Sequence, residues 1–390
     1  MDASPHVLSL PSRRFQPEVF GLGAWTDNLA FACDLIATLQ PQLLVELGTD
    51  RGESFFGFCQ AVAAHSTGTR CFAVDTWRGD LQTGEYDETT FAEVSAHLTA
   101  RFANFATLLR LPFDEALAQF ASESIDLLHI DGLHTEAAVR HDVQSWLPKV
   151  RPGGIVLLHD ISVRTRDFGV WKVWEELRAT GRSYAFAEGP GLGVWQKPRA
   201  IPLPPPLEAL LTAPNETAIE LAEYYRQRAR ELQQAIARQW QDGSIRQTAA
   251  ARQTMVQVFH THDGTHREDD SVHARIGHET WKDLSLPLPA GAGAAPLRID
   301  FLSAFTTIDI AQLSLKCAGQ TLFHAEGWPA WDAIRVAGDA VCSEHPSYLR
   351  VEVTGIDPQL YLPPVPIAAG TSQATLHLLL RVCTAQSPPD

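Results

Sequence analysis

Over its first two hundred residues the chain alternates short continuous apolar runs with stretches of three-four spacing. The runs Leu43 to Leu47, Thr69 to Asp75, Ala106 to Leu111, Ser124 to Asp131 and Ile155 to Asp160 read as strands buried on both faces. Between them, Trp25 to Leu39, Phe91 to Phe105, Asp114 to Phe120, Thr135 to Trp146 and Trp171 to Thr180 read as helices. Thr26 or Asp27 offers an N-cap for the first, and Pro41 stops it. Ser183 to Glu188 and Gly193 to Gln196 read as a hairpin around Gly189-Pro190-Gly191. Alternating strands and helices predict an α/β fold, a Rossmann-like doubly wound sheet with helices on both faces. Residues 1–24, with Pro5, Pro11 and Pro17, read as an extended lead-in, and Arg78 to Thr90 as a polar loop or lid.

The texture then changes. Lys197 to Pro214, with Pro202, Pro204, Pro205 and Pro206, reads as a semi-stiff linker. Glu216 to Trp240 reads as one helix, with Ala222, Tyr225, Ala229, Leu232 and Ile236 on one face. That face either packs on its own domain or joins two copies of the chain. From Met255 onward short alternating runs separated by proline and glycine turns predict an all-β, sandwich-like domain. The expected division is 1–200, 201–254 and 255–390.

Composition is ordinary for a globular protein, with 45% hydrophobic residues among 390, enough for two or three cores. A net charge of −15 argues against nucleic acid as a partner, since phosphates call for a basic face. The six cysteines are scattered, with no C-x-x-C pair, and read as buried free thiols in a reducing compartment. No run approaches a membrane span and no apolar leader follows a basic start, so a cytoplasmic protein is expected.

Chemistry concentrates where the strands end. Gly48 and Gly52 in Glu46-Leu47-Gly48-Thr49-Asp50-Arg51-Gly52-Glu53-Ser54 let a ligand approach the main chain, and a helix opening after Gly52 aims free N–H groups at it. Asp75 closes the next strand and is placed to accept hydrogen bonds from ribose hydroxyls. The dinucleotide pattern G-x-G-x-x-G is absent, so a nucleoside fits better than a pyrophosphate, and a nicotinamide dehydrogenase is disfavoured. Asp131, His159 and Asp160 would share that same edge of the sheet.

Together these pieces resemble the class I S-adenosylmethionine-dependent methyltransferases, in the branch of macrocin O-methyltransferase and the cephalosporin hydroxylase-type proteins (methyltransferase family 24 type). The resemblance rests on Val45 to Ser54, Val74-Asp75-Thr76-Trp77, His129-Ile130-Asp131-Gly132-Leu133-His134, Asp142 and Trp146, Pro152-Gly153-Gly154, His159-Asp160 and Gly191-Leu192-Gly193-Val194, across roughly residues 25–198. It implies a seven-stranded sheet with a reversed last strand. It implies a cofactor site for S-adenosylmethionine formed by Glu46, Gly48, Thr49, Gly52, Ser54, Asp75 and Asp131, with Trp77 or Phe113 flanking adenine or serving as core aromatics. It implies a divalent metal (Mg, Mn or Zn) on Asp131, His159 and Asp160. His159 stands where relatives carry a second Asp, and a histidine suits Zn or Mn better than Mg. A metal-free pair of bases, His134 and His159, is the alternative, and the catalytic set is His134, Asp131 and His159. Asp142 is read as a solvated helix face or cap.

In the β-domain, His260, His262, His266, His273 and His278 with Asp263, Asp269 and Asp270 read as a polar hairpin tip at Asp263-Gly264 rather than a metal site. Trp281, Trp328 and Trp331 read as sandwich core or as platforms for sugar rings. The expectation is an O-methyltransferase acting on a sugar or glycan precursor in surface-polysaccharide biosynthesis, with glycan-assembly enzymes as partners. The rivals are a small-molecule O-methyltransferase and a non-catalytic scaffold whose β-domain binds glycan or protein.

Overall fold

A computed structural model describes residues 9–19, 24–80, 84–86, 88–164, 168–199, 201–241, 253–261, 265–267, 270–289, 296–302, 306–365 and 374–384. Apart from 81–84, the chain forms one compact unit up to Arg238 and a second from Gln239.

The first unit is built on seven strands: β1 Leu43–Leu47, β2 Arg70–Asp75, β3 Ala106–Arg110, β4 Ile125–Ile130, β5 Val150–His159, β6 Ser183–Phe186 and β7 Leu192–Gln196. Their order is β3-β2-β1-β4-β5-β7-β6, with β7 antiparallel to both neighbours and the others parallel. Successive side chains serve opposite cores. Leu44, Ala73, Leu127 and Leu157 face one cluster, and Val45, Val74, Leu128 and Val156 the other. Helices α1 Leu29–Leu39, α2 Glu53–His65 and α3 Glu88–Arg101 contribute to the first cluster. Helices α4 Phe113–Ala116, α5 Glu136–Trp146 and α6 Val170–Arg178 contribute to the second. The doubly wound fold read from the sequence is therefore present, reversed strand included. The lead-in carries a 3-10 turn, Pro11–Arg14, and of the polar stretch 78–90 the last three residues already belong to α3. Its residues 81–83 and 87, like 1–8 and 20–23 of the lead-in, lie outside the described residues.

One expectation is corrected. The proline-rich segment is not a free linker, and the long helix is not a separate piece. Helix α7, Pro205–Leu211, starts on two prolines, where a missing N–H leaves no bond unmade. Its Leu207, Leu210 and Leu211 are buried in the first core. Helix α8, Glu216–Gln241, buries Ala222, Tyr225, Ala229 and Leu232 in the same unit. Buried Asp34 of α1 ties the pieces together. It accepts from Ser12 (2.7 Å from N, 2.6 Å from Oγ) and from Tyr225 Oη (3.0 Å). The boundary therefore falls within α8, because its apolar stripe is spent on α1 and its neighbours.

Among the described residues the second unit holds nine antiparallel strands: β8 Gln253–Phe259, β9 Ser271–Gly277, β10 Lys282–Pro287, β11 Arg298–Leu302, β12 Thr306–Cys317, β13 Gln320–Ala325, β14 Arg335–His345, β15 Tyr348–Tyr361 and β16 Ala374–Thr384. All are hydrogen-bonded into one sheet around one core, because the two longest strands change partner midway. On one edge β12 pairs with β15 near Ile308 and with β13 near Leu315, and β15 likewise passes from β12 to β11. A bulge between Ile310 and Gln312 shifts the alternation, so the inward set runs Ile308, Ile310, then Leu313, Leu315.

Candidate functional site

Five strand ends meet at one rim of the first sheet. The end of β1 is stitched to both neighbours: Gly48 N donates to Val74 O at 3.0 Å, and Asp131 N to Leu47 O at 2.8 Å. Gly48 has φ +81°, and a Cβ on it would stand 2.0 Å from the Asp131 carbonyl oxygen. Gly52, φ +84°, opens α2 and would drive a Cβ into the Phe56 ring at 2.4 Å. Asp50, Trp77 and Asp160, none of them glycine, also take positive φ at these strand ends. Such conformations persist where surrounding contacts hold them, and they gather at working sites.

Asp75 closes β2 and grips the glycine turn. Its Oδ2 accepts Thr49 N (2.8 Å) and Asp50 N (3.0 Å), and its Oδ1 accepts Trp77 N (2.7 Å). Burial pushes its carboxyl up, against the three backbone donors that favour the anion. With Oδ2 holding two donors, the room left for a ribose hydroxyl is on Oδ1. Trp77 presents no open face. It is fully buried, tilted against Phe91 at 5.1 Å, and its Nε1 donates to Asp50 O at 2.8 Å. It is therefore a core aromatic that pins the turn. Phe113, at the start of α4, is the half-buried aromatic, with its ring edge on Gly132. Thr49 and Ser54 are buried within the turn and the first turn of α2.

Glu46 is sealed beneath that turn. Its Oε2 meets His129 Nδ1 at 2.8 Å, while Trp25 Nε1 donates to His129 Nε2 at 3.1 Å. An indole only donates, so Nε2 of His129 accepts and the ring proton sits on Nδ1, which donates to Glu46. Glu46 is wholly buried, so it shapes the floor rather than lining the open surface.

Beside the turn lies a cluster of two carboxylates and two imidazoles. His134 Nε2 is 2.8 Å from Asp160 Oδ2 and 3.4 Å from Asp131 Oδ1. His159 Nδ1 is 3.2 Å from each carboxylate. Burial opposes every charge here, and the opposite charges outweigh it. His134 is raised to about 10 against its burial by Asp160 and Asp131. His159 is raised by the same two carboxylates. Asp131 is held well below the ordinary carboxylate range, and Asp160 down at about 2, by the two imidazoliums. Asp131 (19% exposed) and His134 (16%) face outward, while His159 (3%) and Asp160 (8%) lie behind.

The ligand atoms of Asp131, His134 and Asp160 lie within 4.8 Å of one another, the one such metal-capable group among the described residues. The set differs from the expected Asp131, His159 and Asp160. The ring of His134, carried back by the turn after β4, meets both carboxylates from the open side, while His159 meets the same two through Nδ1 from behind, its Nε2 sealed without a partner. A nitrogen donor with two carboxylates fits Mn, Zn or Fe better than Mg.

Sequence reasoning missed Trp25, His129 and Phe168. The Phe168 ring lies parallel to His134 at 4.6 Å, and Gly169 N donates to His134 O at 2.8 Å. Asp142 was misread. It is 6% exposed, on the α5 face shared with Val139, Val143 and Trp146, and burial lifts its carboxyl to about 6. The three-four spacing of that buried set was the signal.

In the second unit the described histidines are dispersed. His278 Nε2 meets Thr254 Oγ1 at 2.8 Å and His266 Nε2 meets Pro296 O at 3.3 Å. His262, Asp263, Gly264 and Asp269 lie outside the described residues. Trp331 is buried core and Trp328 packs against it, whereas Trp281 is 39% exposed beneath the Arg381 guanidinium.

Residues 45–161 match a family described as a methyltransferase domain. The uncharacterized protein y4gI of Sinorhizobium fredii is 44% identical over 203 residues, 51% of this chain and 22% of y4gI. The chain thus spans about a fifth of the length of that curated relative. Among solved structures, the O-methyltransferase TomG of Streptomyces achromogenes, in complex with SAM, is 13% identical, covering 50% of this chain and 92% of its own, with a TM-score of 0.35. The O-methyltransferase of Bacillus cereus, in complex with SAH, is 15% identical over 50% of this chain and 89% of its own, with a TM-score of 0.35. The matched segment, 45–161, holds the Gly48 turn, Asp75 and the whole Asp131 cluster, so the rim residues lie where the chain is similar to a methyltransferase domain, in line with the class I S-adenosylmethionine-dependent motifs it resembles.

Proposed function

We propose that this chain is an S-adenosylmethionine-dependent O-methyltransferase that methylates a hydroxyl of a sugar or glycan precursor during surface-polysaccharide assembly in the cytoplasm. One observation carries the reading: Asp75 clamps the glycine turn that rests against Asp131, so a nucleoside-binding turn and an acid–base cluster share one rim. The match of residues 45–161 to a methyltransferase domain agrees with it.

The bound cofactor supplies a methyl group on a sulfonium that is its own leaving group, so the protein must position the acceptor and remove its proton. Asp131 and His134 are the accessible members of the cluster and face the acceptor. At neutral pH His134 carries its proton and donates to Asp160 and Asp131. It takes a proton from a hydroxyl only after giving up its own. A divalent cation on Asp131, His134 and Asp160 would supply a lowered pKa for the acceptor hydroxyl. Asp160 and His159, behind, hold the two outward groups in place. The β-unit is assigned to holding the acceptor or a glycan-assembly partner.

The test is incubation with methyl-labelled S-adenosylmethionine and saccharide precursors, with and without a chelator. Label in the saccharide fraction is expected. Cofactor binding with no transfer to any saccharide would move the acceptor class elsewhere, and absence of cofactor binding would end the enzymatic reading.

A further inference from the structure

The outward face of the β-unit carries a cluster with no part in the chemistry above. Along β12, Ile308 and Ile310 point into the core, so Asp309 between them points out. Its register partners are Arg350 on β15 and Arg381 on β16, each likewise set between two buried residues. Asp309 therefore meets an arginine on either side. Arg350 Nε donates to Oδ1 at 2.8 Å and Nη2 to Oδ2 at 3.1 Å, and Arg381 Nη2 donates to Oδ2 at 2.6 Å. Arg350 Nη2 also donates to Tyr348 Oη at 3.0 Å. Each guanidinium lies over an aromatic ring, Arg381 over Trp281 at 5.0 Å and Arg350 over Tyr348 at 5.3 Å, and the two rings are 6.0 Å apart.

This patch offers donors and no spare acceptor. The Asp309 side chain is wholly covered, and its oxygens are spent on the two arginines. Among the described residues, Nη1 of both guanidiniums and Nε1 of Trp281 have no acceptor, and Nε of Arg381 is buried without one. Two guanidiniums against one carboxylate leave an excess positive charge in the row. One register step along the same face, Thr307 stands between Glu352 and Cys383, so the excess is confined to this row. Guanidinium forks held in place favour a carboxylate or a phosphate, whose charge-assisted bonds are about twice as strong as those of a neutral hydroxyl. Trp281, 39% exposed with Arg381 on one side, adds an indole surface for the apolar face of a ring.

We propose that this patch binds an acidic saccharide, a sugar ring carrying a carboxylate or a phosphate, with the anion on Arg350 and Arg381 and the ring against Trp281. The assignment rests on the reading above in giving the β-unit a saccharide to hold, and it adds the place and the charge of that saccharide.

Ligand-observed NMR titration of the full chain with methyl glucuronide, glucose 6-phosphate and methyl glucoside tests this without methyl transfer. At least one charged sugar should bind about tenfold or more tightly than the neutral one, and the tighter of the two identifies the anion. Arg350→Gln and Arg381→Gln should each erase that preference. Both also touch buried Asp309, so Trp281→Ala serves as the variant outside the ion pairs. It should weaken the charged sugars about threefold or more and leave the melting temperature near that of the wild type. Equal affinity for charged and neutral sugars, or charged-sugar binding unmoved by these variants, would overturn the proposal, as would acetate or inorganic phosphate binding as tightly as the sugars. Transfer of label to a saccharide, measured separately, would then still uphold the reading above. Failure of that transfer with the charge preference intact would strike the acceptor chemistry and uphold the patch.

Discussion

Gly48 and Asp131, on strands separated by more than eighty residues of sequence, pack so closely that a methyl group on Gly48 would overlap the Asp131 carbonyl, 2.0 Å away. Gly48→Ala must therefore push the β1 turn off the end of β4, at a cost of about 3 kcal/mol or more. Gly68 is the internal control: its φ is +73°, yet nothing lies within 4 Å of a Cβ there. Gly68→Ala should cost only the left-handed penalty of about 1–2 kcal/mol and leave cofactor affinity alone. Thermal unfolding and calorimetry with S-adenosylhomocysteine separate the two. Equal effects of both substitutions would mean the contact carries no weight.

Asp75 has both oxygens on backbone N–H groups of the turn. Asp75→Asn turns one oxygen into a donor and sets N–H against N–H. The expected result is a fall in melting temperature of several degrees and a loss of cofactor affinity of about tenfold or more. A variant with wild-type stability but weakened binding would make Asp75 a ligand contact alone.

The ion cluster gives a pH signature. The folded pKa of His134, about 10, lies above its ordinary 6.5, so its contribution is complete below pH 6.5 and is lost as pH rises through about 10. Asp160 runs the other way. Its folded value of about 2 lies below 3.8, so its contribution is present above 3.8 and lost as pH falls through about 2. The metal-free first unit should therefore lose stability between pH 6.5 and 10, and His134→Gln should flatten that decline. Melting curves across that range decide it. An unchanged slope in the variant would show that another group carries the titration.

Metal binding and acid–base work part company in Asp131→Ala. Methyl transfer should fall by about a hundredfold or more, with cofactor affinity within a few-fold of wild type. Any divalent ion must displace the proton of His134, so its affinity should rise as pH rises from 6 to 8. Full activity in a chelated enzyme would leave the imidazoles as the acid–base groups.

Trp25 fixes the tautomer of His129, and through it the floor under Gly48. Trp25→Phe keeps the packing against Phe58 but leaves His129 Nε2 buried without a donor. A loss of about 1–3 kcal/mol follows, read by denaturant unfolding. No loss would mean that the indole N–H contributes nothing there.

Much of this architecture is local in origin. Leu43–Leu47 is a buried strand because it is continuously apolar, and α5 faces the core along Val139, Val143 and Trp146 because three-four spacing places them on one side. Gly48, Asp75 and Asp131 were readable as strand-end residues for the same reason, since period and turn chemistry are written in neighbouring positions. Those patterns set which residues leave the strands at the rim, and on which face of the sheet each side chain lies.

They did not set which side chains share a space. That His134 and His159 both reach Asp131 and Asp160, that Trp25 reaches His129, that Phe168 stacks on His134, and that Asp142 is buried all depend on strand order, register and the path of loops between distant segments. The same holds for the prolines of α7, which read as linker, and for the apolar stripe of α8, whose partner was open until the first core and Asp34 took it up. Local sequence limits backbone conformation through sterics and hydrogen bonding over a few residues. Side-chain partnership across the molecule is decided only when the whole core packs, because that is where the competing contacts are compared.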